Sequence, residues 1–117
     1  MKITRKFTQA NKDPFASVEW VKRSSRISNP DGSVVFQMDD AEVPATWSQL
    51  ATDIMVSKYF RKAGVPIEGQ NGKTGPEKSA KQVIHRLAGC WRHWGEQHEY
   101  FDSKADAQAF YDELVYM

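Results

Sequence analysis

Cysteine is nearly missing from this 117-residue chain, with Cys90 standing alone. A single thiol forms no internal disulfide and cannot build a Cys-rich zinc site. Long apolar runs are missing too. No stretch approaches the roughly 18 residues that a membrane span requires, and no charged-then-apolar leader opens the chain. No membrane partner is therefore expected, and the cytoplasm is the expected compartment. An excess of one charge is also absent: 16 Lys and Arg face 15 Asp and Glu. That balance speaks against the concentrated basic surface that phosphate binding needs. There is no internal repeat and no low-complexity tract.

Aromatic residues are abundant, at 12% of the chain. Together with 40% hydrophobic residues they exclude wholesale disorder and call for burial in a core or against a partner. The length fits one domain. Basic residues collect before Asn29 (Lys2, Arg5, Lys6, Lys12, Lys22, Arg23 and Arg26, against Asp13 and Glu19). Residues 1–16 read as a basic extended arm with a solvated surface, and residues 17–117 as a single small α+β domain.

Residues 18–38 have a strand-like pattern broken by Asn29-Pro30-Asp31-Gly32. Pro presets the backbone angle of the second turn position and Gly accepts the positive angle that follows, so a β-hairpin is expected. Val34, Phe36 and Met38 should share one face by the period of two. A first helix should start at a Thr46 N-cap with Gln49 completing a capping box. Its stripe of Trp47, Leu50, Ala51, Ile54, Met55 and Tyr59 should point inward, and Gly64 and Pro66 should stop it. Residues 67–77, rich in Gly, read as a mobile loop. A second helix should begin at Ser79 with Gln82 as reciprocal partner, bury Val83, Ile84, Leu87, Ala88, Trp91 and Trp94, and end near Gly95. Gly89 inside it costs about 1 kcal/mol relative to Ala, which points to a close packing contact. A third helix should run from Ser103, paired with Asp106, and bury Ala107, Phe110, Leu114 and Val115. Its pattern is unbroken at Met117, as in a segment that continues.

No residue set converges on a catalytic or metal role. Cys90, His93 and His98 are the only soft-ligand cluster, but a zinc site needs four ligands in paired spacing. The alternative reading, Cys90 buried for packing with the histidines satisfied locally, is preferred. A Cys–His nucleophilic pair lacks an orienting third group and an oxyanion hole. GQNGKTG (69–75) lacks the strand–loop–helix setting of a phosphate loop. Most aromatic residues lie at helical spacing and read as core. Tyr59-Phe60-Arg61-Lys62 differs, because adjacent helix positions cannot all face one core. With Trp94 and Tyr116 it forms the candidate partner surface, and an apolar patch near Phe60, Trp94 or Tyr116 should stay exposed. A nucleic-acid-binding role would instead use the arm, the 59–62 cluster and Lys78, Lys81, Arg86 and Arg92.

Two blocks carry a family likeness: NPDGSVVF, VPATWSQLATDI and KYFRKAGVP within residues 29–66, and QVIHRLAG, YFDS, DAQAFYDE and the final YM within 82–117. RKFTQANKDPFASVEW before them also fits. In this order they resemble the N-terminal domain of adenosylcobalamin (vitamin B12)-dependent class II ribonucleotide reductases. The resemblance implies a parent enzyme that reduces ribonucleoside diphosphates through a radical begun by cobalt–carbon homolysis. It places the radical-forming Cys and the reducing Cys pair in an α/β barrel downstream of the segment resembled here. No catalytic residue carries over, since one Cys cannot serve all those roles. The 67–77 loop is shorter than the family pattern, and Cys90 stands where a small hydroxyl residue is expected.

The expected fold is α+β and helix-rich, an N-terminal β-hairpin packed on about three helices. The expected role is a non-catalytic module that caps or buttresses the catalytic barrel of a reductase, in the same chain or as a separate subunit. It would bind no cofactor by itself; adenosylcobalamin would belong to the parent enzyme. A small nucleic-acid-binding or protein-interaction module is the alternative.

Overall fold

A computed structural model describes residues 1–117. The elements run in order as a 3₁₀ turn (Pro14–Ser17), β1 (Trp20–Ser28), β2 (Val34–Pro44), α1 (Gln49–Ile54) continuing into a π-helical turn (Met55–Tyr59), β3 (Val65–Pro66), β4 (Thr74–Gly75), α2 (Ala80–Gln97) and α3 (Lys104–Tyr116). The class is α+β, as expected. The chain divides into two compact units, one of Glu19–Val83 and one of Met1–Val18 with Ile84–Met117.

The first unit is built on the antiparallel β1–β2 hairpin. Its turn forms where Pro30 and Gly32 require it: Gly32 takes φ +88° and donates to the Asn29 carbonyl at 2.9 Å. Two irregularities then decide which side chains face inward. Near the turn, Ile27 pairs with Phe36 but Ser28 pairs with Val34. The offset moves Val34 off the face that Phe36 and Met38 share, contrary to the simple alternation, and Val34 is exposed. Further along, Ser25 pairs with Met38 and Arg23 with Ala41, so Asp39 and Asp40 oppose Ser24 alone. This β-bulge, with Asp40 at φ +57°, changes the parity of the strand. Ala41 and Val43 thus follow Phe36 and Met38 into the core, where Val56, Phe60, Ala80 and Val83 join them.

The start of α1 differs from expectation. Trp47 N–H donates to the Pro44 carbonyl, a turn that consumes Thr46, and Ser48 becomes the N-cap by accepting from Ala51 N at 3.0 Å. Gln49 reaches back to the Ser24 carbonyl and to Asp53 instead of closing a capping box. The helix then loosens to i→i+5 pairing, with Phe60 N–H on the Met55 carbonyl at 3.0 Å. The Lys62 ammonium donates to the Val56 carbonyl at 2.7 Å and lies over the Phe36 ring.

Residues 67–77 hold more order than a bare loop. β3 and β4 pair, and Ile67 N–H donates to Lys73 O across Gly69 and Gly72, both at positive φ. Beyond it Glu77 is fully buried. Its carboxylate accepts from Arg61 N at 2.7 Å, and its own N–H donates to Arg61 O. The Ser79–Gln82 box forms as expected: Gln82 Oε1 accepts from Lys78 N and Ser79 N, and Ser79 Oγ accepts from Lys81 N.

In the second unit α3 opens on the expected Ser103–Asp106 box. Ala107, Ala109 and Val115 are buried along it, while Phe110 and Leu114 are half-buried. The first residues of the chain are tied down rather than solvated. Asp106 accepts from Ile3 N, buried Asp112 accepts from Arg5, and Glu113 accepts from the N–H groups of Lys6, Phe7 and Thr8. The strap thus supplies buried Asp112 and half-buried Asp106 and Glu113 with donors. Gly89 makes no close contact, since an added Cβ would meet only the His85 ring at 3.5 Å. The tight position is Gly95, which lies inside α2 and against the Phe101 ring.

Candidate docking surface

The local chemistry of β1 orients α1. Period two puts Val21, Arg23, Ser25 and Ile27 on the strand's inner face, and two of these are polar. Arg23 donates to the Trp47 and Ala45 carbonyls and to Thr52 Oγ1. Ser25, fully buried, donates to Asp53 at 2.7 Å. Thr52 and Asp53 must therefore face the hairpin, because a buried hydroxyl or guanidinium without a partner costs about 1–3 kcal/mol or more. Half of the apolar stripe is turned the other way. Leu50, Ile54 and Tyr59 are 68%, 47% and 60% exposed. Trp47, Ala51, Ile54, Met55 and Tyr59 line a shallow apolar groove of about 290 Å³. The inward set is Thr52, Val56 and Phe60. Of the stripe expected to point inward, Trp47 and Met55 do pack against the core, while Leu50, Ile54 and Tyr59 do not.

The candidate partner residues separate accordingly. Phe60 leaves the set, because its ring is in the core at 4% exposure; the change to i→i+5 pairing turns it inward. Tyr59, Arg61 and Lys62 remain at the surface. Trp94 is exposed on α2, in one stripe with exposed Leu87 and Trp91, three side chains expected to be buried. Tyr116 is exposed and stacks on Phe7 with ring centroids 5.1 Å apart.

Elsewhere the chemistry is structural. Cys90 is exposed, not buried in packing as expected. No group of three His, Cys, Asp or Glu side chains lies close enough to hold a metal ion. His98 stacks near Tyr100, and His85 Nδ1 meets the Tyr111 hydroxyl at 2.7 Å. Burial pushes the Tyr111 phenol up, Asp13 and Asp112 add to this, and Arg92 opposes it. An open groove of about 680 Å³ between the end of α2 and the start of α3 is lined by both charges, including Arg92, Glu96, Glu99 and Lys104. Arg92 is spent on Glu96 and Gln108, and Lys81 on Glu42 and the Trp20 ring. Lys81 and Arg92, which the nucleic-acid reading would use, are thus engaged within the fold. No helix is long and apolar enough to cross a membrane.

An α+β module with unsatisfied apolar faces and no convergent reactive groups is the class that fold and surface define. Comparison with known proteins supplies its membership. The family described as class II vitamin B12-dependent ribonucleotide reductase matches residues 21–117. The vitamin B12-dependent ribonucleotide reductase of Bradyrhizobium diazoefficiens is 44% identical over 143 aligned positions, which take in 100% of the chain and 11% of that protein. The enzyme of the same name from Agrobacterium fabrum is 42% identical with the same coverage. That from Streptomyces coelicolor is 38% identical over 99% of the chain and 11% of its own length. The chain belongs to this family and corresponds to its N-terminal domain. It spans about a ninth of the length of these relatives. The first two alignments are longer than the chain, so those relatives carry inserted residues that it lacks.

Proposed function

We propose that the chain is a non-catalytic N-terminal module of a vitamin B12-dependent ribonucleotide reductase, which caps or buttresses the catalytic region. That region would be carried by the same polypeptide or by a separate subunit. Coverage is the observation that carries this reading. The likeness runs over the whole chain yet touches only 11% of each relative. The chemistry of deoxyribonucleotide formation would then reside in the remaining nine-tenths.

The residues present do not fit the cofactor of the parent enzyme. A corrinoid is larger than the groove of about 680 Å³ beside α3, which lies in the size range of drug-sized ligands. One exposed thiol, Cys90, also cannot act as both radical site and reducing dithiol. No step of ribonucleotide reduction is therefore assigned to this chain.

Purified chain supplied with adenosylcobalamin, a dithiol and ribonucleoside diphosphates should give no deoxyribonucleotide, and sustained turnover would overturn the reading. The structural role has its own test. The B. diazoefficiens reductase stripped of its matching segment should lose turnover or melt earlier, and should recover both when this chain takes the segment's place. An enzyme indifferent to the segment would remove the buttressing role.

A further inference from the structure

Resting on that reading, we propose that the outward face of α1 is the surface through which the module docks, and that its occupant is the reductase polypeptide beyond the segment this chain matches.

The inversion of α1 is the first support. Helices in small domains turn their apolar stripe to the core. Here the polar side, Thr52 and Asp53, is bolted to β1, while Leu50 and Ile54 stand exposed on the other. A helix held in that attitude by buried hydrogen bonds cannot roll over to hide the stripe. The face suits recognition: Trp47 and Tyr59 line the groove together with Ala51, Ile54 and Met55, and rigid aromatic side chains around a small apolar pocket make strong anchors.

Charge decides between occupants. Lys58 and Arg61 stand exposed at the C-terminal end of α1, whereas the Lys62 ammonium is held by the Val56 carbonyl. The first turn of α1 carries no acidic residue, and Asp53 is held by Ser25 and Gln49. A two-fold contact between copies sets the same patch against itself. If the two helices run parallel, basic ends meet. If they run antiparallel, each basic end meets a first turn that carries no carboxylate and whose Ala51 N–H is capped by Ser48. Neither arrangement provides complementary charge, which disfavours a second copy. The relatives carry nine-tenths of their length outside this segment, and that is where the occupant lies. It should offer an apolar ridge for the groove and Asp or Glu side chains opposite Lys58 and Arg61.

The test uses a full-length reductase in which this chain replaces the matching segment of the B. diazoefficiens enzyme. A photoreactive benzoylphenylalanine is placed at Leu50, or separately at Leu87 on α2 or Val35 on the hairpin, and cross-linked peptides are mapped by mass spectrometry. The Leu50 probe should join peptides from the remainder of the enzyme, and the Val35 probe should not. Leu50→Glu should lower the melting temperature of the full-length protein by several degrees and leave that of the isolated chain unchanged, since Leu50 lacks core contacts to lose. Cross-links from Leu87 with none from Leu50 would overturn the α1 surface and preserve the module reading. Leu50 cross-links confined to a second copy would also overturn it. If no probe reached the remainder and Leu50→Glu changed nothing, both readings would fall.

Discussion

Two glycines six residues apart in α2 should respond to the same substitution with opposite signs. Replacing a helical Gly by Ala stabilises by about 1 kcal/mol, because the unfolded chain loses freedom and the helix gains a favourable side chain. At Gly89 nothing opposes this, as the added Cβ would lie 3.5 Å from the His85 ring, an ordinary contact. At Gly95 the same Cβ would lie 2.4 Å from Phe101 Cε2 and 2.8 Å from Cζ. The Phe101 ring packs on Phe110 at 5.3 Å, a contact it would give up by moving toward the groove it borders. The backbone leading to it is fixed by Tyr100 N–H on the Gly95 carbonyl and by Glu99 at φ +55°. Overpacking of this kind costs about 1–3 kcal/mol, which outweighs the propensity gain. Gly89→Ala should therefore be about 1 kcal/mol more stable than the parent, and Gly95→Ala about 1 kcal/mol less stable. For a domain of this size the two variants should melt roughly 8 °C apart. Urea unfolding of the purified chain, followed by far-ultraviolet circular dichroism, reads the difference as a change of midpoint at constant slope. In a Phe101→Ala background the obstruction is gone, so Gly95→Ala should now stabilise as Gly89→Ala does. If Gly95→Ala matched Gly89→Ala in the parent chain, or stayed harmful without the ring, the steric argument would be refuted.

The strap supplies two further tests. Asp112, 2% exposed, is held by Arg5 at 2.7 Å and by Gln108 at 2.8 Å. Arg5→Ala should cost about 3 kcal/mol, since it strands a buried carboxylate; a melting curve that overlays the parent's would contradict the pair's role. Glu113 is held below the usual carboxylate range, first by the Thr8 hydroxyl and then by the Thr8, Lys6 and Phe7 amides. A carboxyl whose folded pKa is lowered stabilises fully above its unfolded value, here 4.5, and that contribution is lost as pH falls through the folded value. Amide protection factors at Phe7 and Thr8, measured by hydrogen exchange, should therefore decline as pH falls below 4.5, and should be low at every pH in Glu113→Ala. Protection that persisted undiminished through the acid range would count against the carboxylate.

What was legible in the sequence was local. Asn29 to Gly32 specify a turn by backbone chemistry alone, and Ser79 with Gln82, like Ser103 with Asp106, name both halves of a cap within four residues. The first cap was misread because Thr46 and Ser48 are equally good caps by residue type, and only the Trp47–Pro44 turn distinguishes them. The bulge at Asp39 and Asp40 was invisible for a similar reason, since neither Asp announces a left-handed backbone as a Gly would. The strap could not be read locally. Its donors at Ile3 to Thr8 and its acceptors at Asp106 to Glu113 are about a hundred residues apart, and only their opposite charges hinted at a match.

The orientation of α1 shows why periodicity alone misdirected the surface. A stripe at helical spacing establishes that a helix has two unlike sides, and says nothing about which side meets the core. The deciding residues lie on another element, more than twenty positions upstream. Arg23 and Ser25 occupy the inner face of β1 by strand alternation, so whatever packs there must bring acceptors. In α1 the side that brings them is Thr52 and Asp53. Val56 and Phe60, further along and beside Ala41 and Val43, supply the apolar contacts that remain. Polar residues on the inner face of a strand, followed by a helix polar on one side, should therefore be read as a helix worn inside out. In a lone domain that arrangement leaves an apolar face to solvent at a cost, which the proposed docking onto the rest of a longer enzyme would remove.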